Sequence, residues 1–277
     1  MISIIIPFYN TEKYIEQCLT SIKGQTFSDF ECLMIDDGST DSSREIAKKF
    51  LEDSRFRLLG DKHIGFPHSK NLGLDNAKGD YICFVDSDDY ILPQYLELLY
   101  KSLIDSNSDI CSCGIIGFRD KEPVVREMPY RVTSVINVSK ISMMFERCST
   151  FMWNKIYKRE IFEDMRFDNV IALSDTMLCY KLFEKANKIS FIPNKLICHR
   201  HHNENMTYQV RNFEPTYWPH RLNVYLTMCS YLLEKYPSLE RLLKDKFRSE
   251  LRFIKPHLSK EIYESYLNRE DVKILLN

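Results

Sequence analysis

Short apolar runs alternate with helical patterns along the first half of the chain, and this alternation limits the fold more than any other feature. Four runs have the length and apolar character of buried strands: 2–8, 30–35, 55–59 and 81–85. Apolar residues at helical spacing follow each run, at 11–23, 42–51, 68–77 and 93–106. Strands and helices in this order form βαβ units around a largely parallel sheet. The sequence therefore predicts an α/β fold with a Rossmann-like sheet.

The second half of the chain has a different pattern. A strand is predicted over 109–118 and a short one over 192–198, with a polar surface connection or hairpin at 121–130. Helical spacing dominates elsewhere, at 141–147, 158–163, 175–186 and from 214 onward. We expect one α/β domain over 1–208 and a helical C-terminal extension over 209–277.

The extension is rich in aromatic and basic residues, among them Tyr217, Trp218 and Arg221. Two hypotheses account for this composition. The helices pack their aromatic side chains on the domain and expose their lysines, or they form an amphipathic surface that contacts a membrane or a partner. We favour the first because it needs only ordinary core packing. Peripheral membrane association is also compatible with this composition.

Composition excludes several classes of protein. Lys and Arg number 38 and Asp and Glu 39, so the net charge of −1 gives no global attraction to nucleic acid or an anionic membrane. No apolar run approaches the roughly 18 to 20 residues that span a bilayer, and the N-terminal segment lacks the pattern of a signal peptide. We expect a cytoplasmic protein, either free or at the inner face of the membrane.

The nine cysteines are scattered, and no pair has the C-x-x-C spacing of a redox or zinc site. Cys111 and Cys113 are the closest pair and lie in a strand-like apolar segment. They are predicted to be small core residues, and no disulfide framework is indicated.

Acidic residues follow two predicted strands at the edge where open α/β sheets bind ligands. Asp86-Ser87-Asp88, with Asp89, comes directly after 81–85, and two carboxylates at this spacing can share one divalent cation. Asp36 and Asp37, at the end of the second strand, can accept hydrogen bonds from ribose hydroxyls or a base imide. Turn-forming or helix-capping acids explain either cluster taken alone. Both clusters in one sheet favour a nucleotide diphosphate with a metal.

Several stretches of the first half resemble a known family. They are Ser3-Ile4-Ile5-Ile6-Pro7-Phe8-Tyr9-Asn10, Cys18-Leu19-Thr20-Ser21-Ile22 with Gln25-Thr26, Ile35-Asp36-Asp37-Gly38-Ser39-Thr40-Asp41, and Gly79-Asp80-Tyr81-Ile82-Cys83-Phe84-Val85-Asp86-Ser87-Asp88-Asp89. In order and spacing they are similar to successive motifs of the family 2 glycosyltransferases, which have the GT-A fold. The similarity is close over about 1–120 and looser to about 208. It implies an enzyme that uses a nucleotide-sugar, most often a uridine diphosphate (UDP) sugar.

The resemblance implies roles for residues at matching positions. Those around the nucleoside would be Pro7, Tyr9 and Asp37, with Asp36 shaping the pocket. Asp88 matches the acid that binds Mn²⁺ or Mg²⁺, and Asp86 matches its partner near the ribose and the metal.

Two later stretches extend these roles. Lys70 and Asn71 lie where the family usually has Arg-Asn, so Lys70 keeps the charge toward phosphate or sugar but loses the bidentate fork. Within His199-Arg200-His201-His202-Asn203, His202 best matches family residues near the diphosphate, and Arg200 can neutralise phosphate charge. Zinc binding by this cluster is the weaker alternative, because no cysteine or further histidine lies at a finger spacing.

Asp175 is the catalytic base that the resemblance implies. Trp153-Asn154-Lys155-Ile156-Tyr157-Lys158-Arg159 resembles the segment that precedes the family's acidic pair, and Ser174-Asp175 occupies the position of that pair. Ser174 replaces the usual Glu. In the alternative interpretation Ser174 is a helix N-cap and Asp175 interacts only with the helix dipole.

Together these residues imply an inverting, metal-dependent hexosyl- or N-acetylhexosaminyltransferase of the bacterial polysaccharide type, acting on a hydroxyl of a glycan or lipid-linked acceptor. Two alternatives stay open. A haloacid-dehalogenase-like, magnesium-dependent phosphohydrolase also has a strand ending in D-x-D, although Tyr90 stands where that motif has Thr or Val. A non-catalytic domain that binds sugar nucleotides would follow if Ser174 in place of Glu abolished activity.

Overall fold

The computed structural model describes residues 1–119, 121–125, 128–170, 172–204 and 206–277. Within these residues nine strands join one sheet. The strands are β1 (Ile2–Phe8), β2 (Phe30–Asp36), β3 (Phe56–Leu59), β4 (Tyr81–Phe84), β5 (Tyr90–Ile91), β6 (Ile110–Phe118), β7 (Thr133–Ile136), β8 (Lys155–Lys158) and β9 (Lys188–Arg200).

Eleven α-helices occur in the same described residues. They are α1 (Ile15–Lys23), α2 (Ser43–Lys48), α3 (Phe66–Asn76), α4 (Tyr95–Ser106), α5 (Ser139–Met143), α6 (Ser174–Lys185), α7 (Met206–Phe213), α8 (Tyr217–Lys235), α9 (Glu240–Ile254), α10 (Lys260–Leu267) and α11 (Glu270–Leu276). Alternation of helix and strand in the first half, followed by helices only after β9, matches the predicted order.

The sheet has the order β3-β2-β1-β4-β8-β6-β9-β5, and β7 also pairs with β9. The first four strands in this order are parallel, as the βαβ alternation predicts. β8 is antiparallel to both β4 and β6, and β9 is parallel to β6. β5 and β7 are antiparallel to β9. The predicted α/β fold is confirmed, but its second half is a mixed sheet.

Three strands, β5, β7 and β8, escape prediction from the sequence because they are short, and β5 has only two residues. β8 is the four-residue segment KIYK, which is too short to show a strand period. The helix expected over 158–163 is instead a single 3₁₀ turn, Arg159–Phe162, directly after β8. β7 is mostly exposed. The connection predicted over 121–130 has no strand in its described part, and residues 126 and 127 lie outside the described residues.

Alternate residues of β1 serve two cores on opposite faces of the sheet. Ile4 and Ile6 belong to a cluster with α1 and α4. Ile5 belongs to a second cluster with residues of α3, α6, α8, α9 and α11. The C-terminal helices therefore share an apolar core with the sheet. The predicted domain boundary after residue 208 falls within α7 and stays a prediction.

Most large aromatic side chains of the C-terminal helices face this core. The buried ones are Tyr217, Trp218, Tyr225, Phe247 and Tyr266. In the described part of the chain no helix has the combination of length and apolar character that crossing a bilayer requires. All nine cysteines are buried and free, and burial raises the pKa of each thiol. These cysteines act as core residues.

Gly79 lies where the chain passes the start of β1 before it enters β4. A Cβ atom there would lie 2.7 Å from the Ser3 backbone nitrogen and 2.8 Å from the Met1 carbonyl oxygen. We expect Gly79→Ala to lower the free energy of unfolding by about 1 to 3 kcal/mol, the range for overpacking, as measured by urea denaturation. Gly24→Ala is the control, because its Cβ atom would lie 3.5 Å from the Thr20 carbonyl oxygen, an ordinary contact. Equal effects of the two substitutions would contradict a backbone constraint at Gly79.

Candidate active site

The predicted site residues meet at one edge of the sheet. β1, β2 and β4 are parallel, so the residues that follow them lie at the same edge. β9 runs in the direction of β4, because β8 is antiparallel to β4 and β6 while β6 is parallel to β9. The end of β9, with His202 beyond it, therefore reaches the edge that carries Asp36 and Asp86.

A cavity of about 790 Å³ lies at this edge. Four of the predicted site residues line it: Lys70, Asp86, Asp175 and His202. The lining does not include the other predicted site residues: Pro7, Tyr9, Asp36, Asp37, Asn71, Asp88 and Arg200. A second cavity, of about 680 Å³, is lined by residues near Tyr81 and Arg159, where β4 begins and β8 ends. The first cavity is the candidate active site because it lies at the strand ends that carry the predicted acids and is lined by two of them, Asp86 and Asp175.

Two of the three carboxylates after β4 are paired with histidines from the end of β9. His202 Nε2 lies 2.9 Å from Asp88 Oδ2. His199 Nδ1 lies 3.0 Å from Asp89 Oδ2, and the Arg200 backbone N–H donates a hydrogen bond to Asp89 Oδ1. Burial lowers the pKa of His199, but the hydrogen bond to Asp89 and the charges of Asp89, Asp86 and Asp88 together outweigh burial and hold that pKa above the usual value. These pairs attach the end of β9 to the turn Asp86-Ser87-Asp88, which is called the D-x-D turn below.

Asp86 has a different environment. Its Oδ1 is buried and accepts no hydrogen bond from the described residues. Burial raises the pKa of Asp86 to about 7, with Lys70 opposing the shift and the charges of Asp88 and Asp89 adding to it. A buried carboxylate oxygen without a partner is costly unless a donor or a cation reaches it. Asp86 is therefore suited to receive a ligand.

Asp36 and Asp37 are buried, and contacts within the protein engage both side chains. Asp37 Oδ1 accepts hydrogen bonds from the backbone N–H groups of residues 64 and 65 and from the Ser69 hydroxyl, at 2.7, 3.0 and 3.0 Å. Asp36 Oδ2 lies 2.7 Å from Arg44 Nη1. These bonds order the loops that flank the ends of β1 and β2. The Arg44 contact has no fixed spacing, so sequence reasoning misses it.

Pro7 and Tyr9 lie at the end of β1. Pro7 is buried opposite Ile35 of β2. The Tyr9 side chain is 40% exposed, and its ring centroid lies 4.8 Å from that of His63. An exposed aromatic ring beside the strand ends is a surface on which a nucleobase can stack.

Lys70 links the two acids that line the cavity. Its Nζ lies 2.7 Å from Asp175 Oδ1, with the two side chains 5% and 19% exposed. Burial lowers the pKa of Lys70, but the charges of Asp175 and Asp86 outweigh burial and hold that pKa above the usual value. The Met152 backbone N–H donates a hydrogen bond to the other oxygen of Asp175 at 3.4 Å. Asp175 is thus oriented from two sides.

The residues before Asp175 correct the N-cap interpretation. Ser174 is the first residue of α6, and Leu173 precedes the helix with a φ of 64° in the left-handed region. No side chain caps this helix end. A left-handed leucine is strained by about 1 to 3 kcal/mol, and such strain clusters at functional sites. Leu173 and Ser174 both line the cavity.

The side-chain amide of Asn71 is engaged in hydrogen bonds within the protein. Its side chain exchanges two hydrogen bonds of 2.9 Å with the Phe167 backbone. Both functional atoms of the amide are therefore engaged with the segment that leads to α6. Asn71 thus holds the segment before Asp175, and its neighbour Lys70 on α3 holds Asp175 itself.

Lys155 supports the opposite side of the site, and sequence reasoning assigns it no role. It is fully buried, and its Nζ donates hydrogen bonds to the Phe151 carbonyl oxygen at 2.5 Å and to Asn154 Oδ1 at 2.6 Å. Burial lowers the pKa of Lys155. The loop that it holds places Phe151 and Trp153 in the cavity wall, stacked at 5.0 Å. Its only sequence signal is its place in the motif that starts at Trp153.

Arg200 lies beneath the D-x-D turn. Its Nε donates a hydrogen bond to the Asp88 carbonyl oxygen at 3.2 Å, and its guanidinium lies over the rings of Phe118 and Tyr14, at 4.6 and 5.2 Å. Among the described residues it forms no ion pair with a carboxylate. Its charge is therefore available to an anion near Asp88.

Asp86 and Asp88 fit a divalent cation only in part. Among the described residues, no three His, Cys, Asp or Glu side chains are arranged to hold a metal ion by themselves. Two carboxylates, one with an unpartnered buried oxygen, are the donor set that Mg²⁺ or Mn²⁺ uses when substrate phosphates complete the shell. The residues present therefore fit a metal that binds together with a diphosphate.

Comparison with known proteins points to one family. The family model for glycosyl transferase family 2 matches residues 3–170. The chain is 34% identical to glycosyltransferase GlyA of Streptococcus pneumoniae over 210 residues. The aligned residues make up 72% of this chain and 30% of GlyA. It is 29% identical over 214 residues to GlyG of the same organism, covering 72% of this chain and 70% of GlyG. The chain thus spans under a third of the length of GlyA.

Solved structures show the same fold. The chain is similar to Staphylococcus aureus TarS 1–349 in complex with UDP-GlcNAc, with a TM-score of 0.70 and 24% identity over 84% of this chain and 66% of that chain. For TarS 1–349 in complex with UDP the TM-score is 0.66 at 21% identity, over 96% of this chain and 91% of that chain. At these identities the likeness concerns the fold: a GT-A sheet with a helical C-terminal region.

The raised pKa of Asp86 predicts a pH dependence of stability without ligand. An unfolded aspartate has a pKa of about 3.9, whereas Asp86 has a pKa of about 7 when folded, so the folded state binds the proton more tightly. The stability that this proton supplies is lost as pH rises from about 4 through about 7. In metal-free buffer we expect Asp86→Asn to gain stability relative to wild type over this range, on the order of 1 kcal/mol per pH unit, measured by thermal denaturation.

The control for this measurement is Asp168→Asn, which removes a carboxylate that is 52% exposed. Its stability relative to wild type should stay constant over the same range. A difference between Asp86→Asn and wild type that does not change with pH would contradict the assigned environment of Asp86.

Proposed function

Because this chain belongs to glycosyltransferase family 2, we propose that it transfers a hexosyl or N-acetylhexosaminyl group from a nucleotide-sugar to a hydroxyl of a glycan or lipid-linked acceptor. The observation that carries the proposal is the meeting of Asp86, Lys70 and Asp175 in one cavity. One acid is available to the donor and the other to the acceptor. Lys70 pairs with Asp175, and its charge favours the ionised form of Asp86.

The donor in this proposal is a UDP-sugar. The exposed ring of Tyr9 supplies a stacking surface for the base, next to the loops that Asp36 and Asp37 order. Arg200 supplies a positive group and His202 a ring nitrogen near the expected diphosphate. The UDP and UDP-GlcNAc in the TarS structures support uridine, because the two proteins share this fold.

A divalent cation, Mn²⁺ or Mg²⁺, would be held by Asp88 and Asp86 and would neutralise charge on the departing diphosphate. Asp88 has a second carboxylate oxygen besides the one that His202 contacts, so it would hold the ion without losing that contact. Asp86 must give up the proton that its raised pKa retains. Donor binding is therefore coupled to proton release at this turn.

The base in this proposal is Asp175. The acceptor hydroxyl transfers its proton to the Asp175 carboxylate as its oxygen bonds to the anomeric carbon. The bond from that carbon to the diphosphate breaks on the opposite face, so the configuration inverts. Lys70 and the Met152 N–H fix the carboxylate for this step. A single acid suffices, so Ser174 in place of Glu does not remove activity.

The family match covers the D-x-D turn, so it favours glycosyl transfer over the phosphohydrolase alternative. We also propose that residues 1–208 form the transferase domain and 209–277 an extension that completes one wall of its cavity. The protein would act in the cytoplasm, at the inner membrane face when its acceptor is lipid-linked. Polysaccharide synthesis is the process that this acceptor class implies.

Asp175→Asn tests the base. The amide keeps the size of the side chain but cannot accept the proton, so we expect turnover to fall by about 10² or more while UDP binding stays within about twofold. Turnover is measured as release of UDP from the donor, and binding by calorimetry. Asp168→Asn should match wild type in both. Wild-type turnover in Asp175→Asn would remove this residue from the mechanism.

Nucleotide binding tests the donor. We expect UDP with Mn²⁺ to raise the melting temperature, because a ligand that binds only the folded state stabilises it, and we expect GDP, CDP and dTDP to act more weakly. Asp88→Asn should remove the metal-dependent part of the shift, and Asp168→Asn should keep it. An equal shift in Asp88→Asn, or no shift with any of the four nucleotides, would contradict the proposed donor site. Binding without transfer would favour the non-catalytic alternative.

A further inference from the structure

The cavity extends well beyond the groups that the proposed reaction uses. One end is lined by Lys70, Asp86 and Asp175. The other end is lined by residues of α7, α8 and the turn after α9: Tyr208, Arg211, Asn212, Tyr217, Trp218, Arg221 and His257. A nucleotide at the D-x-D turn leaves this C-terminal end for the second substrate.

Positive and negative side chains are unevenly distributed along the cavity wall. Its acidic residues, within the described lining, are Asp86 and Asp175, and both face Lys70. Arg221 is neutralised by Glu250, whose carboxylate lies 2.7 Å away. Arg119 and Arg211 also line the cavity, and in the described part of the chain neither has a carboxylate partner. Within the described residues, Arg211 thus gives the C-terminal end of the cavity a positive charge without a carboxylate partner.

Arg211 is held in place by aromatic rings. Its guanidinium lies 5.2 Å from the ring centroids of both Trp218 and Phe253. Trp218 is itself stacked on His257, with centroids 3.9 Å apart and planes 5° from parallel. Stacking uses the flat face of a guanidinium and leaves its N–H donors for an oxyanion, which Arg binds through two parallel hydrogen bonds.

We propose that the acceptor carries an oxyanion, a phosphate or a carboxylate, and that Arg211 binds it in an anionic acceptor subsite formed with Trp218 and His257. This inference rests on the proposed function and deepens it by naming the acceptor class. The buried Trp218 ring holds the Arg211 guanidinium, and the oxyanion meets the N–H donors of that guanidinium. The hydroxyl to be glycosylated then extends toward Asp175 in the same cavity.

The two tryptophans of the chain make this subsite measurable. Trp153 and Trp218 both line the cavity, so intrinsic fluorescence reports on ligands there. Three probes share one sugar scaffold: methyl glucoside, methyl glucuronide and methyl glucoside 6-phosphate, and inorganic phosphate is a fourth. Each is titrated into the full chain in the presence of UDP and Mg²⁺, and Trp218→Phe assigns the signal to Trp218.

We expect the 6-phosphate or the glucuronide to bind at least about tenfold more tightly than the neutral glucoside, and the tighter of the two identifies the oxyanion. Inorganic phosphate should bind more weakly than the phosphorylated sugar if the ring contributes. Arg211→Gln should weaken binding of the anionic sugar about tenfold or more, the usual scale for a lost charge-assisted hydrogen-bond pair. Arg252→Gln, an exposed arginine outside the cavity lining, should have no effect.

Equal affinity for the neutral and anionic sugars, or anionic binding unchanged in Arg211→Gln, would overturn the subsite. So would a loss of UDP binding in Arg211→Gln, because the arginine would then serve the donor. UDP binding is measured in every variant by thermal shift. If wild type binds UDP but does not prefer the anionic sugars, only the subsite is refuted. If wild type does not bind UDP, the proposed function is refuted.

Discussion

The site depends on one buried ammonium group. Lys70 on α3 is 5% exposed, pairs with Asp175 at the start of α6, and lies close enough to Asp86, after β4, for the two charges to interact. Removing one partner of a buried ion pair typically costs about 3 to 5 kcal/mol, so the pair keeps α3 and α6 in contact. In the proposed function this arrangement keeps an acid for the donor and an acid for the acceptor within one cavity. The charges around this lysine decide what each acid can do.

Lys70 also affects which groups neutralise the acids of the site and which neutralise the phosphates. Family members usually have Arg here, and a guanidinium could reach a phosphate while pairing with an acid. The Lys70 ammonium is a compact charge that Asp175 engages at 2.7 Å. In the proposed function, charge on the diphosphate is therefore left to Arg200 and a metal at Asp86 and Asp88, with His202 beside them. Arg211 lies in the part of the cavity that the C-terminal helices line, where an anionic acceptor would need it.

Sequence patterns predict the elements whose periodicity is strong. β1, β2 and β4 are mostly apolar, and their parallel order predicts that the acids at their ends share one edge. The sequence does not show β8, whose four residues are too few for a period, or the engagement of Asn71 with Phe167. It also cannot show that Trp218 and Arg211 form a cavity wall, because helical spacing reveals a buried face but not its partner.

A crystal structure of the protein with UDP and Mn²⁺ would show where the nucleotide and the ion bind. We predict that the diphosphate and the ion lie at Asp86 and Asp88, with the uracil ring beside Tyr9 and open space between the diphosphate and Asp175. A nucleotide bound elsewhere, such as the cavity beside Tyr81 and Arg159, would contradict the account. So would a nucleotide at the strand ends that leaves the Asp86 carboxylate without a new partner.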